Sequence, residues 1–142
     1  MTNSIADIHL ADVLLVTGSN TTEAHPVISL EMKKAVRQHG AKLILVDPRE
    51  IELANFAAIH IRPRSGTDVA LLNTMAHVIL AEGLEDKDFI TARTENIEAF
   101  KEAVKDCTPQ WGEDITGVPA ERIVEAAQVY GRAGSAAIFW AM

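Results

Sequence analysis

Three short polar stretches carry the residues that could do chemistry. The first is Gly18-Ser19-Asn20, with Glu23 three positions on. Its glycine permits close backbone approach, and its amide and carboxylate offer hydrogen bonds near a helix N-terminus, where anions are favoured. The second is Asp47-Pro48-Arg49. Asp47 stands where a ribose-binding carboxylate often occurs, and Arg49 could meet a phosphate. The third is Gly66-Thr67-Asp68, in which a turn glycine opens a long helical stretch. Each stretch follows an apolar run of strand length. In open α/β sheets ligands sit beyond the carboxyl ends of strands, so the three together describe a nucleotide-shaped crevice with one anion site and two carboxylates.

Taken singly, each stretch also has an ordinary explanation. Gly18-Ser19-Asn20 lacks the Gly-x-Gly-x-x-Gly fingerprint and fits a plain strand-to-helix turn. Asp-Pro starts many turns, Arg49 fits a surface charge, and Thr67 or Asp68 fits a helix N-cap. His25 belongs to a turn, while His60 and His77 read as satisfied core or boundary histidines. Cys107 reads as an inert thiol, and "AEGLEDKD" as a solvated surface. No Ser-His-Asp order, His-Glu-x-x-His or Cys-x-x-Cys is present, so no catalytic residue and no metal ligand is assigned.

The elements that must position these residues alternate along the chain. "DVLLV" (12–16), "KLILVD" (42–47), "AIHI" (58–61) and "SAAIFWA" (135–141) read as buried strands. "PVISLEMKKAVRQHG" reads as a helix, with Pro26 at its start and Gly40 past its end. A short helix is expected over Glu50 to Phe56, and two or three more between Asp86 and Asp106. "VALLNTMAHVILAEG" is apolar on most of its circumference and is expected to be packed against the sheet and a neighbouring layer. "VPAERIVEAAQVYG" reads as a further amphipathic helix. Alternation of this kind implies parallel pairing, so the expected fold is α/β, a Rossmann-like and mostly parallel sheet flanked by helices.

The 142 residues suit a single domain spanning 1–142. The last strand runs off the chain at Met142, which reads as a domain excised from a larger polypeptide. With 48% hydrophobic residues, 23% charged and a net charge of −7, the chain is globular in composition and unsuited to nucleic acid or anionic membranes. A lone cysteine is compatible with the cytoplasm, and no apolar run approaches a membrane-spanning length.

"TGSNTTEAHPV", "GAKLILVDPR", "RPRSGTDVALLNTMAHVIL", "DITGVPAERIVEAAQVYG" and "SAAIFWAM" occur here in an order and spacing that resemble the large (alpha) subunit of molybdenum- or tungsten-dependent formate dehydrogenases. These belong to the molybdopterin oxidoreductase family, and the likeness covers nearly the whole chain. Related nitrate and dimethyl sulfoxide reductases share "DPR" and the Gly-Thr/Ser-Asp turn. The resemblance implies that the crevice binds molybdopterin guanine dinucleotide, which holds Mo or W in the whole enzyme. Carried onto this sequence, Gly18, Ser19 and Asn20 lie against the diphosphate, with Glu23 nearby. Asp47 and Arg49 address the ribose and guanine side, and Gly66 with Asp68 grips the guanine. Met142 falls on a Trp-Gly-Met stretch that approaches the pterin, with Ala141 in place of the glycine.

The family's iron–sulfur cysteines and metal-ligating residue have no counterpart here, since Cys107 is the single cysteine. The resemblance therefore implies a cofactor-binding fragment whose partners are the remaining domains of its subunit and other formate dehydrogenase subunits. Two other classes fit the residues alone. One is a free-standing Rossmann-like module for a common mononucleotide or NAD, and the other an interaction domain whose loops are only turns.

Overall fold

A computed structural model describes residues 3–140. Four strands form one sheet: β1 (Val13–Thr17), β2 (Lys42–Val46), β3 (Ile59–Ile61) and β4 (Ala136–Trp140). Their order is β3-β2-β1-β4, and every pairing is parallel. The Val-Leu-Leu-Val run of β1 is buried at every position, and the strand is central, paired with β2 on one side and β4 on the other. Thr17 lies opposite Val46 and Trp140, and Val46 opposite Ile61, so the four carboxyl ends are level. The chain passes from β1 outward to β2 and β3, then returns to the other side of β1 as β4. That reversal places a topological switch point at the carboxyl end of β1, where such sheets open a crevice.

The described residues fall into two compact units. One takes in positions up to Arg62 and from Ala133 onward, and holds the sheet. Its helices are the single turn α1 (Thr21–Ala24) and α2 (Pro26–His39), and it also holds 3-10 turns at Ile5–Leu10, before β1, and Glu52–Phe56, between β2 and β3. Ile28, Met32 and Ala35 of α2 pack on Leu14, Val16, Leu43 and Leu45, with Ile8 and Leu53 closing the ends. Each large aliphatic side chain so buried contributes roughly 1.5–3 kcal/mol. The register of apolar residues on α2 thus fixes which face of the sheet it covers.

The other unit, Pro63–Arg132, is helical: α3 (Asp68–Ala81), α4 (Lys87–Arg93), α5 (Ile97–Val104), α6 (Pro109–Thr116) and α7 (Ala120–Gly131). Leu71, Met75 and Val78 of α3 and Ile123, Ala126 and Ala127 of α7 are buried, and α3 packs against α5, α6 and α7. His77 bonds through Nδ1 to the Val104 carbonyl at 3.0 Å and so ties α3 to α5.

One sequence expectation is corrected. The last strand is an edge strand, not a buried one: Ile138 is 45% exposed and Trp140 64%. It borders a cleft of about 760 Å³ whose other wall is the Ile5–Leu10 turn. Helix α3 leaves Val69, in its first turn, 72% exposed. The sequence reading also passed over α6, whose Thr108 cap and Pro109 start mark it, and the two turns Ile5–Leu10 and α1.

Candidate nucleotide site

Gly18 ends β1 with φ +58°, in the left-handed region where a side chain is strained. Its N–H donates to the Val46 carbonyl at 3.0 Å, so the tight turn begins while the chain is still tied to β2. Ser19 and Thr21 are buried, at 1% and 0% exposure. Among the described residues, Asn20 Oδ1 and Thr21 Oγ1 are buried without a hydrogen-bond partner. Buried polar atoms are nearly always paired, so two such orphans at a strand's carboxyl end suit a polar ligand. Thr21 was not singled out in the sequence. Its signal, a hydroxyl one residue past Asn20 at the start of α1, is too common to single out.

The level register of β1 and β2 sets the Asp47-Pro48-Arg49 turn beside Gly18-Ser19-Asn20. Asp47 is 1% exposed and accepts three hydrogen bonds from Arg49: from its backbone N–H to Oδ1 at 2.8 Å, from Nε to Oδ1 and from Nη2 to Oδ2, both at 3.1 Å. Burial works against the ionised carboxyl, but those bonds outweigh it and hold Asp47 below the ordinary carboxylate value. The same bonds raise the Arg49 guanidinium, and the charge of Glu23 adds to the effect. Asp47 is therefore the buried counter-charge that aims Arg49. The edge offered outward is the guanidinium, whose Nη1 protons are not used on Asp47.

His60 on β3 completes this corner. Its Nε2 lies 3.0 Å from the Asp47 carbonyl oxygen, and because a carbonyl only accepts, Nε2 carries the proton. Arg62 Nε donates to the Pro48 carbonyl at 3.0 Å. Both contacts join positions far apart in sequence through the β2–β3 pairing, which is why the sequence could not show them.

Gly66 and Asp68 belong to the helical unit. Gly66 takes φ +82° in the turn Arg64–Thr67, closed by the Thr67 N–H on the Arg64 carbonyl at 3.2 Å. Positive φ at the third position is the type II arrangement that needs glycine. Thr67 is the N-cap of α3, but its hydroxyl donates back to the Arg64 carbonyl at 2.6 Å and makes no capping bond. Asp68 is the acidic residue in the first turn and is exposed. Met142 lies outside the described residues. Among the described residues no three His, Cys, Asp or Glu side chains are grouped to hold a metal, and no helix is long and apolar enough to cross a membrane.

An all-parallel four-strand sheet flanked by helices, with polar turns at its carboxyl ends, defines an open α/β class of protein. Within that class the molybdopterin oxidoreductase profile matches residues 1–142, and the chain belongs to this family. It is 45% identical, over its whole length, to formate dehydrogenase H of Escherichia coli (strain K12), covering 20% of that protein. It is 46% identical to the F420-dependent formate dehydrogenase subunit alpha of Methanocaldococcus jannaschii, covering 21%. Among solved structures, acetylene hydratase from Pelobacter acetylenicus superposes with a TM-score of 0.84 at 32% identity, over 96% of this chain and 21% of that one. The chain thus spans about a fifth of the length of these relatives.

Proposed function

We propose that this chain is the pterin-guanine-dinucleotide-binding domain of a molybdenum- or tungsten-dependent formate dehydrogenase large subunit. The observation that carries the reading is the corner at the carboxyl ends of β1 and β2. It combines a left-handed Gly18 turn, two orphaned polar atoms on Asn20 and Thr21, and a guanidinium aimed by a buried carboxylate. The chemistry fits the group: the Thr21 hydroxyl can donate to a diphosphate, Asn20 Oδ1 can accept only from an N–H or O–H such as a ribose hydroxyl, and a fixed guanidinium suits a phosphate or the ribose and guanine edge. The relatives add support of a different kind. A formate dehydrogenase and an acetylene hydratase bear names of different reactions yet share this fold segment, as expected of a part that holds a common cofactor.

In this reading the Gly18-Ser19-Asn20 turn, Thr21 and Glu23 face the diphosphate end. Asp47 and Arg49 address the ribose and guanine side, the buried Asp47 holding Arg49 in place, and Gly66 and Asp68 take the guanine. Met142 would approach the pterin. When bound, the dinucleotide's metal supplies the two-electron chemistry between formate and CO2 in the whole enzyme. This chain's own residues bind and orient one end of the cofactor. The iron–sulfur cluster, the metal ligand and the other subunits belong to the rest of a cytoplasmic assembly.

Calorimetric titration of the 142-residue chain with GDP and with ADP tests the proposal. Saturable binding that favours GDP is expected. Preference for ADP would instead support a mononucleotide or NAD module, and no binding of either, alone or in competition with the intact cofactor, would overturn the reading.

A further inference from the structure

The turn that carries Gly66 and Asp68 does not hold itself in place. Arg64, at its first position, reaches the end of α6 with both its backbone and its side chain. The Arg64 N–H donates to the Thr116 carbonyl at 2.8 Å, and Nη1 donates to the carbonyls of Asp114 at 3.0 Å and Ile115 at 3.2 Å. Those are consecutive carbonyls of the last helical turn, which have no partner inside the helix. A guanidinium can take such a row because its donors diverge in a fixed plane.

Room for it is made at Gly117, the residue that ends α6. A Cβ there would lie 3.1 Å from Arg64 Nε and 3.2 Å from Cζ, tighter than ordinary packing allows. Gly117 also takes φ +73°, so the position excludes a side chain twice over. On its other side, the Arg64 carbonyl accepts from both Thr67 N and Thr67 Oγ1. Thr67 in turn accepts the Leu71 N–H at 3.1 Å, which starts α3 one residue before Asp68 is passed. An unbroken series of bonds runs from the α6 terminus through Arg64 to the residue before Asp68.

We propose that Arg64 is a positioning residue for guanine recognition, which fixes the Arg64–Thr67 turn against the α6 terminus and so sets Gly66 and Asp68 before the base arrives. The inference rests on the cofactor reading of that turn. Arg64 touches no ligand in this role; it removes the ordering cost that a loose turn would add to binding.

The test uses the 142-residue chain and its Arg64→Ala, Arg64→Lys and Gly117→Ala variants, with GDP and ADP titrations and amide hydrogen exchange. Arg64→Ala and Gly117→Ala should keep cooperative unfolding, exchange faster at Gly66 to Asp68, and bind GDP about 3- to 10-fold more weakly with ADP unchanged. Arg64→Lys, which offers one ammonium for two carbonyls, should fall between. Faster exchange with wild-type GDP affinity in these variants would overturn the inference while leaving the guanine site standing. A wild-type chain that does not favour GDP overturns the site and this role together. If Arg64→Ala does not fold, Arg64→Lys and Gly117→Ala decide the matter by the same readings.

Discussion

Arg49 meets Asp47 side-on, with Nε on Oδ1 and Nη2 on Oδ2, while its own backbone N–H donates to the same Oδ1. The two residues differ sharply in exposure: the Asp47 side chain is 1% accessible and that of Arg49 64%. A buried carboxylate is thus compensated by a cation that still faces solvent. The pair fixes the plane of the guanidinium at the end of β2.

The first prediction follows from that asymmetry. Asp47→Asn should cost about 1.5–3 kcal/mol, the range for hydrogen bonds to charged groups. Arg49→Met should also destabilise, because it strands a buried charge. Adding Asp47→Asn to Arg49→Met should recover part of the loss. Urea midpoints of the two single variants and the double variant check this; strictly additive losses would refute the coupling.

A pH dependence comes with the same pair. Asp47 titrates below its ordinary value near 3.8 in the folded chain, so the unfolded chain takes up its proton first as the pH falls. Its contribution is whole above that ordinary value and disappears as the pH drops through the folded one. The stability gap between wild type and Asp47→Asn should therefore be constant from about pH 7 to pH 5 and close below about pH 4. Urea midpoints of both proteins across that range are the measurement, and a gap that widens in acid would contradict it.

Much of this was legible in the sequence, and the parts that were not share a cause. Strand positions, the α2 boundaries and the loops at strand ends follow from apolar runs, Pro26 and Gly40, which act locally. Exposure of Trp140 was hidden because an apolar run does not say whether its strand is central or at an edge. Asp47 was visible as a carboxylate, but its burial beneath Arg49 depends on the Asp47 N–H reaching the Ile61 carbonyl at 3.1 Å across the sheet. Arg64 carries no local signal in the sequence. Its partners lie 50 and more residues away, beyond any local pattern.

The packing of α3 on α6 supplies a separate prediction. A Cβ on Gly112 would sit 2.5 Å from Thr74 Oγ1 and 2.8 Å from Cγ2, and Thr74 is fully buried with its hydroxyl donating to the Ala70 carbonyl at 2.9 Å. Neither side can yield cheaply. Gly112→Ala should cost about 1–3 kcal/mol by overpacking, despite alanine's better helix propensity. Thr74→Ala removes both close atoms, so the double variant should be more stable than additivity allows. A thermal-unfolding cycle over the four proteins measures the coupling, and a neutral Gly112→Ala would sink the idea.

Asp68 separates a structural role from a recognition role most directly. Thr67, not Asp68, occupies the N-cap of α3, and Asp68 is exposed in the first turn. Its worth to the helix is then the favourable placement of a negative charge at the N-terminus, about 0.3–1 kcal/mol and screened by salt. Guanine asks more of it. A carboxylate accepts from both the ring N–H and the exocyclic amine, a donor pair that adenine does not present, and charged hydrogen bonds of this kind contribute roughly 1.5–3 kcal/mol. Asp68→Asn and Asp68→Ala should therefore unfold within about 1 kcal/mol of wild type yet bind GDP about 10- to 150-fold more weakly. ADP binding should not follow. Salt should reduce the stability difference between wild type and variants, while the GDP-over-ADP ratio of wild type persists. Calorimetry on folded protein gives both affinities, with intact cofactor as competitor where free GDP is weak. Variants that lose stability but keep the wild-type ratio would make Asp68 a helix-terminal charge and nothing more, and the guanine assignment would fail at the residue on which it depends.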